Sequence, residues 1–199
     1  SSTDYRNLFN ISIKPTDNIV FLGDSITHFY PVEMFYNNLP VINSGRQGYK
    51  TTDILKELDS LVYQYNPSKV FLTIGINDIK EDQIAKEDVI TNILRIIQEI
   101  KKHRPNAKIY VESIYPINNS EEDKIVRDAV DTRSVDEIIS INKKLEEEVP
   151  KLDCVFIDVY EDLLDENHQL KIEYTKDGVH LTNQAYVKIS SKLLEYIAK

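Results

Sequence analysis

Five short apolar runs, each followed by residues at helical spacing, constrain the fold of this chain more than any other feature. The runs are Ile19–Leu22, Pro40–Asn43, Lys69–Ile74, Lys108–Ser113 and Asp153–Val159. Between them, apolar residues recur every three or four positions: Val32, Phe35 and Tyr36 within 28–36, then Ile54, Leu58, Leu61 and Val62 up to about Tyr65. Val89, Ile93, Ile96, Ile97 and Ile100 form one face of a helix over Lys86–His103. Ile138, Ile141 and Leu145 do the same over Ser134–Glu148, and Ala185, Ile189 and Leu193 over Asn183–Ile197. Strand alternating with helix implies a parallel sheet covered on both faces and joined by right-handed crossovers. The unbroken Ile-Val-Phe-Leu of the first run suits a strand buried on both sides. In such α/β folds the working site lies outside the carboxyl ends of the strands.

At 199 residues, with no repeat, linker or low-complexity tract, the chain is expected to form a single domain over 1–199. Residues 1–18 read as a docking segment, with Tyr5, Leu8 and Phe9 at helical spacing and a turn at Pro15-Thr16-Asp17. A net charge of -9 argues against a nucleic-acid partner, which would want a basic face. Cys154 is the only cysteine, so no intrachain disulfide can form, and its neighbours Val155, Phe156 and Ile157 mark it as a strand-core thiol. No run approaches the ~18 apolar residues of a membrane span, so none is expected in this chain. The sequence starts at Ser1 rather than Met, so an upstream targeting segment could have been removed. Compartment, cytoplasmic or exported, stays open, as does oligomeric state.

Three residues that can do chemistry fall just past predicted strand ends. Ser25 follows Gly23-Asp24 after the first, Gly45 lies after the second, and Asn77 follows Gly75-Ile76 after the third. All three therefore belong on one rim. A serine there suits a nucleophile, although Asp24 or Ser25 could equally cap the helix that follows. Among four histidines, His180 is the one whose aspartate three residues earlier, Asp177, is followed by a glycine turn and which stands just before a helix. That spacing lets a carboxylate reach an imidazole and fix its tautomer. His28 and Tyr30 read as rim or packing residues, and His103 suits the last turn of its helix.

In this order the pieces resemble a known family. Gly23-Asp24-Ser25-Ile26-Thr27, Gly45, Gly75-Ile76-Asn77-Asp78 and Asp177-Gly178-Val179-His180 are similar to the four blocks of the SGNH, or GDSL-like, hydrolases. The likeness runs from about Asp17 to Ala185. It implies a flavodoxin-like three-layer α/β/α sandwich with a five-stranded parallel sheet. It further implies metal-free serine esterase chemistry without a cofactor. By the same likeness Ser25 is the nucleophile, His180 the base and Asp177 its partner. Ser25, Gly45 and Asn77 form the oxyanion hole. Ile26 replaces the leucine of the family's short name.

The family covers lipid esterases, arylesterases, carbohydrate O-acetylesterases and some acetyltransferases, so the motifs fix the chemistry and not the acyl group. The expected substrate is a small-molecule or glycan ester, most simply an acetyl group on a carbohydrate or other polar carrier. Transfer of the acyl group to a glycan hydroxyl, a lysophospholipase-type esterase and a non-catalytic binding module are the alternatives. Arg46 and Tyr49, in the loop after Gly45, are expected substrate contacts. So are Arg127 and Arg133, the two arginines of the irregular segment 116–136, which is long for a connection inside a compact domain.

Overall fold

A computed structural model describes residues 18–80 and 84–199. The expected docking helix around Tyr5, Leu8 and Phe9, and the turn before Asn18, lie outside the described residues. Each apolar run forms a strand: β1 (Ile19–Gly23), β2 (Val41–Gly45), β3 (Lys69–Thr73), β4 (Lys108–Glu112) and β5 (Val155–Ile157). All pair in parallel, in the order β2-β1-β3-β4-β5. The chain leaves β1 toward one edge and returns past it to β3, which opens a crevice at that reversal. Gly23 is level with both Gly45 and Thr73, so the loops after β1, β2 and β3 leave the sheet at one height.

Eight helices accompany the strands among the described residues: α1 (Ser25–His28), α2 (Val32–Phe35), α3 (Thr51–Lys56), α4 (Leu58–Leu61), α5 (Lys86–His103), α6 (Arg127–Val130), α7 (Val135–Glu148) and α8 (Asn183–Ile197). Alternate residues of the strands serve two layers. On one face Phe21, Phe71 and Tyr110, in register across β1, β3 and β4, stack at 5.1 and 4.7 Å, and Tyr196 of α8 packs on the row. Tyr186 of α8 also stacks on Tyr30 and donates to the Ile26 carbonyl at 2.6 Å, which seats α1 on this layer. The other layer consists of α3, α5 and α7, packed side by side. The result is the three-layer α/β/α sandwich of the flavodoxin-like type.

Two expected helices are broken. The one over 28–36 is reduced to α2, with α1 ending at His28, because Pro31 lacks an N–H and disfavours helical backbone at the residue before it. The one from Thr51 toward Tyr65 is α3, α4 and a 3₁₀ turn, interrupted at Glu57 (φ -126°). Ile54, Leu58, Leu61 and Val62 are buried on both sides of that break, so the apolar face survives it. The segment 116–136 is not a solvated loop. Ile117, Asn118, Ile125 and Val130 are buried, and α6 interrupts it.

Candidate active site

Asp24 caps α1: its Oδ1 accepts the Ile26 N–H at 3.0 Å. Ser25 occupies the first helical position, where its own N–H has no intrahelical acceptor. Capping thus falls to Asp24 and leaves the Ser25 side chain free of that task. Two features hold α1 against the end of β2. A Cβ on Gly45 would fall 2.1 Å from the His28 nitrogen and 2.5 Å from the Thr27 carbonyl carbon, so only glycine permits the approach. Asn43 Nδ2 donates to the Thr27 and Tyr30 carbonyls at 2.8 and 3.1 Å.

The turn that brings the imidazole is closed on itself. Thr175, fully buried, donates to the His180 carbonyl at 2.7 Å and accepts the Gly178 N–H at 2.8 Å. Asp177 Oδ1 accepts the backbone N–H groups of Val179 and His180 at 2.9 and 2.8 Å. Its other oxygen, Oδ2, lies 2.7 Å from His180 Nδ1. A carboxylate can only accept, so Nδ1 carries a proton, and in the neutral ring it is Nε2 that is free to accept. Ser25 Oγ lies 3.1 Å from that Nε2, placed to donate its proton. Partial burial alone would raise the Asp177 pKa, but the bonds from the ring and the two backbone N–H groups hold it well below the usual carboxylate range. Asp24 behaves oppositely: burial pushes it up to about 7, against the Ile26 N–H that it accepts and the charge of Arg133.

Across the crevice, Asn77 stands in the turn after β3. Its neighbour Asp78 is fully buried and accepts from Thr51 N at 3.0 Å and Thr51 Oγ1 at 2.6 Å, pinning the turn to α3. Asn77 Nδ2 donates to the Tyr49 carbonyl at 3.0 Å, which leaves its second N–H for a ligand. The loop between β2 and α3 therefore abuts Asn77. In it Gly48 takes φ +78°, and a Cβ there would meet nothing within 4 Å.

Several expected site residues do other work. Gly45 is not available as an oxyanion donor, because its N–H already donates to Asn43 Oδ1 at 2.8 Å. Arg46 Nη1 donates to the Gly45 carbonyl, and the Tyr49 phenol, its pKa raised by Glu57, faces that carboxylate. Arg127 donates to the carbonyls of Asn119 and Ser120 and pairs with Asp131. Arg133 binds the carbonyls of Ile76 and Ala129 and the Asn77 side chain. The arginines expected at the substrate are thus turned onto the chain itself. Tyr30 is buried against Tyr36 and Ser190, and His103 stacks on Tyr63, as packing residues do. Exposed Phe29 meets the His180 ring edge-on at 6.3 Å.

A model of the GDSL-like Lipase/Acylhydrolase family matches residues 21–188. The chain belongs to this family. It is a serine ester hydrolase of the GDSL type. A solved structure from Streptococcus pneumonia, named provisionally for platelet activating factor, is 36% identical, with 97% of this chain and 89% of that one covered and a TM-score of 0.84. A lipase/acylhydrolase from Enterococcus faecalis is 22% identical over 92% of this chain and 96% of its own, with a TM-score of 0.75, a likeness of fold. Among curated proteins, the N-acylneuraminate cytidylyltransferase of Escherichia coli O18:K1:H7 is 25% identical over 97% of this chain. This chain spans 45% of that relative. None of the helices among the described residues is long and apolar enough to cross a membrane.

Sequence reasoning missed Asn43, Thr175 and the inward use of Arg133. Asn43 ended a predicted strand and Thr175 lay five residues before His180, and neither position carries a pattern of its own. Gly48 did carry one, as the second of two glycines three apart in the same loop.

Proposed function

We propose that this chain hydrolyses small acyl esters, acetyl esters foremost, carried on a carbohydrate or similar polar alcohol, through an acyl-enzyme on Ser25. The observation that carries the reading is the unbroken hydrogen-bond chain Asp177–His180–Ser25 beside the Asn77 amide. Ser25 Oγ attacks the ester carbonyl while its proton passes to His180 Nε2, and the proton then goes to the departing alcohol as the ester C–O bond breaks. Water attacks the acyl-enzyme next, losing a proton to His180, which passes it to Ser25 Oγ as the acyl–Oγ bond breaks and the acid leaves. Charge on the carbonyl oxygen is met by the Ser25 N–H, by the second N–H of Asn77 and, in place of Gly45, by the N–H of Gly48. The Gly48 assignment rests on its open position in the loop that Asn77 touches.

The polar carrier is supported by the Escherichia coli relative, which by its name works on an acylated sugar acid and matches along nearly the whole of this chain. A panel of esters with graded acyl length and varied alcohols, run on wild type and Ser25→Ala together, tests the reading. Acetyl esters of sugars should give the highest kcat/KM. A steady rise with acyl length would point to a lipid ester instead.

A further inference from the structure

We propose that Arg133 is a positioning residue of the oxyanion site, fixing the Asn77 amide so that its free N–H, and not its oxygen, faces the reacting carbonyl. This rests on the reading of Asn77 as an oxyanion donor and adds what makes it one. An asparagine amide is nearly symmetric in shape, and half a turn about its last bond exchanges the donor end for the acceptor end. A flipped Asn77 would set a carbonyl oxygen against the developing negative charge. Two contacts exclude that state. Arg133 Nη2 stands 3.1 Å from Asn77 Oδ1, and a guanidinium has no lone pair to offer, so the oxygen must lie on that side. The Tyr49 carbonyl, which can only accept, stands 3.0 Å from Nδ2. A flip would place donor against donor and acceptor against acceptor at once.

The guanidinium is itself held. Nε donates to the Ile76 carbonyl at 3.0 Å and Nη1 to the Ala129 carbonyl at 2.5 Å, so its planar fork has one orientation. A cation bonded to Oδ1 also draws charge from the amide, which makes the remaining N–H a stronger donor. The arrangement explains the length of the segment between β4 and α7. That segment lies along the triad turn, where Val126 N donates to the Asp177 carbonyl at 2.9 Å and Asn118 N to the Gly178 carbonyl at 2.8 Å. It then delivers Arg133 to Asn77. One connection thus spans both sides of the crevice.

The test is steady-state kinetics on p-nitrophenyl acetate for Arg133→Ala, Arg133→Lys, Asn77→Ala and the double variant Asn77→Ala/Arg133→Ala. Thermal unfolding of each variant confirms the fold. Arg133→Ala should lower kcat by roughly 10-fold or more with KM within about 3-fold, since the lost interaction acts on the transition state. Arg133→Lys should fall between, and added guanidinium chloride at millimolar concentration should restore part of the Arg133→Ala rate. In the Asn77→Ala background, loss of Arg133 should cost less than about 3-fold, because the amide it positions is gone. An equal loss in both backgrounds would show a general structural role and overturn the proposal. So would a rise in KM alone, which would make Arg133 a substrate contact. If Asn77→Ala left kcat unchanged, the reading of Asn77 as a donor would fall first and this inference with it. Full sensitivity to Asn77 with none to Arg133 would sink the inference alone. Should Arg133→Ala not fold, Arg133→Lys in the two backgrounds gives the same comparison.

Discussion

The Asp177 carboxylate divides its two oxygens between two tasks, and that division predicts what an isosteric change does. Oδ1 is claimed by two backbone N–H groups, so an asparagine at 177 would have to keep its oxygen there. Its amide N–H₂ would then face His180 Nδ1 and donate to it, forcing the ring proton onto Nε2. The ring would keep its place and lose its ability to accept from Ser25. Asp177→Asn is therefore expected to lower kcat by about 10²–10⁴ with little change in KM. Kinetics on p-nitrophenyl acetate beside a melting curve check this, and a neutral substitution would remove the carboxylate from the mechanism. Ser25→Ala should cost about 10⁴–10⁶ and abolish labelling by an organophosphonate. Residual activity above a tenth would place the nucleophile elsewhere.

Among the loops, those after β2 and β3 show what a sequence discloses and what it withholds. Ser25, Asn77, Asp177 and His180 were legible because strand ends in a parallel sheet share a rim, and because a carboxylate three residues from a histidine can reach it locally. The strands and the long helices α5, α7 and α8 were legible from period alone. The steric use of Gly45 was hidden because it depends on how closely α1 approaches β2, which no linear pattern reports. What Arg46, Arg127 and Arg133 bond to was hidden for a related reason. An arginine's partner is chosen in space, and carbonyls of its own chain satisfy it as well as a ligand does. The two glycines now separate by experiment. Gly45→Ala should lose stability and activity together, on the order of 1–3 kcal/mol or more, since the added carbon meets backbone. Gly48→Ala meets nothing, and its left-handed backbone costs about 1 kcal/mol. If its N–H serves the oxyanion, kcat should fall well beyond that small loss of stability. Urea midpoints measured beside kcat decide between the two patterns.

At the scale of the whole molecule, two buried carboxyls govern how stability follows pH. Glu112, at the end of β4, is buried and accepts a hydrogen bond from the Tyr115 hydroxyl. Burial pushes its pKa up to about 7, with the Asp24 charge adding to the effect, and Asp24 is itself at about 7 by burial. In the unfolded chain both ionise near pH 4. Between about pH 4 and 7 the folded state therefore binds more protons than the unfolded one, and stability falls as pH rises, levelling off above 7. Asp177 acts in a separate window. Its lowered pKa contributes stability that is present above about pH 4 and lost as pH falls further. The two windows meet in mildly acid solution, where the protein should be most stable. Glu112→Gln removes one titrating group while leaving an oxygen for Tyr115. Relative to wild type it should gain stability at pH 8 over pH 5, by an amount on the order of 2–3 kcal/mol at about 1.4 kcal/mol per pH unit. Urea unfolding of both proteins at the two pH values measures that difference. A shift of the same size at pH 5 and pH 8 would mean that Glu112 is ionised in the folded protein throughout, with burial too weak to hold its proton.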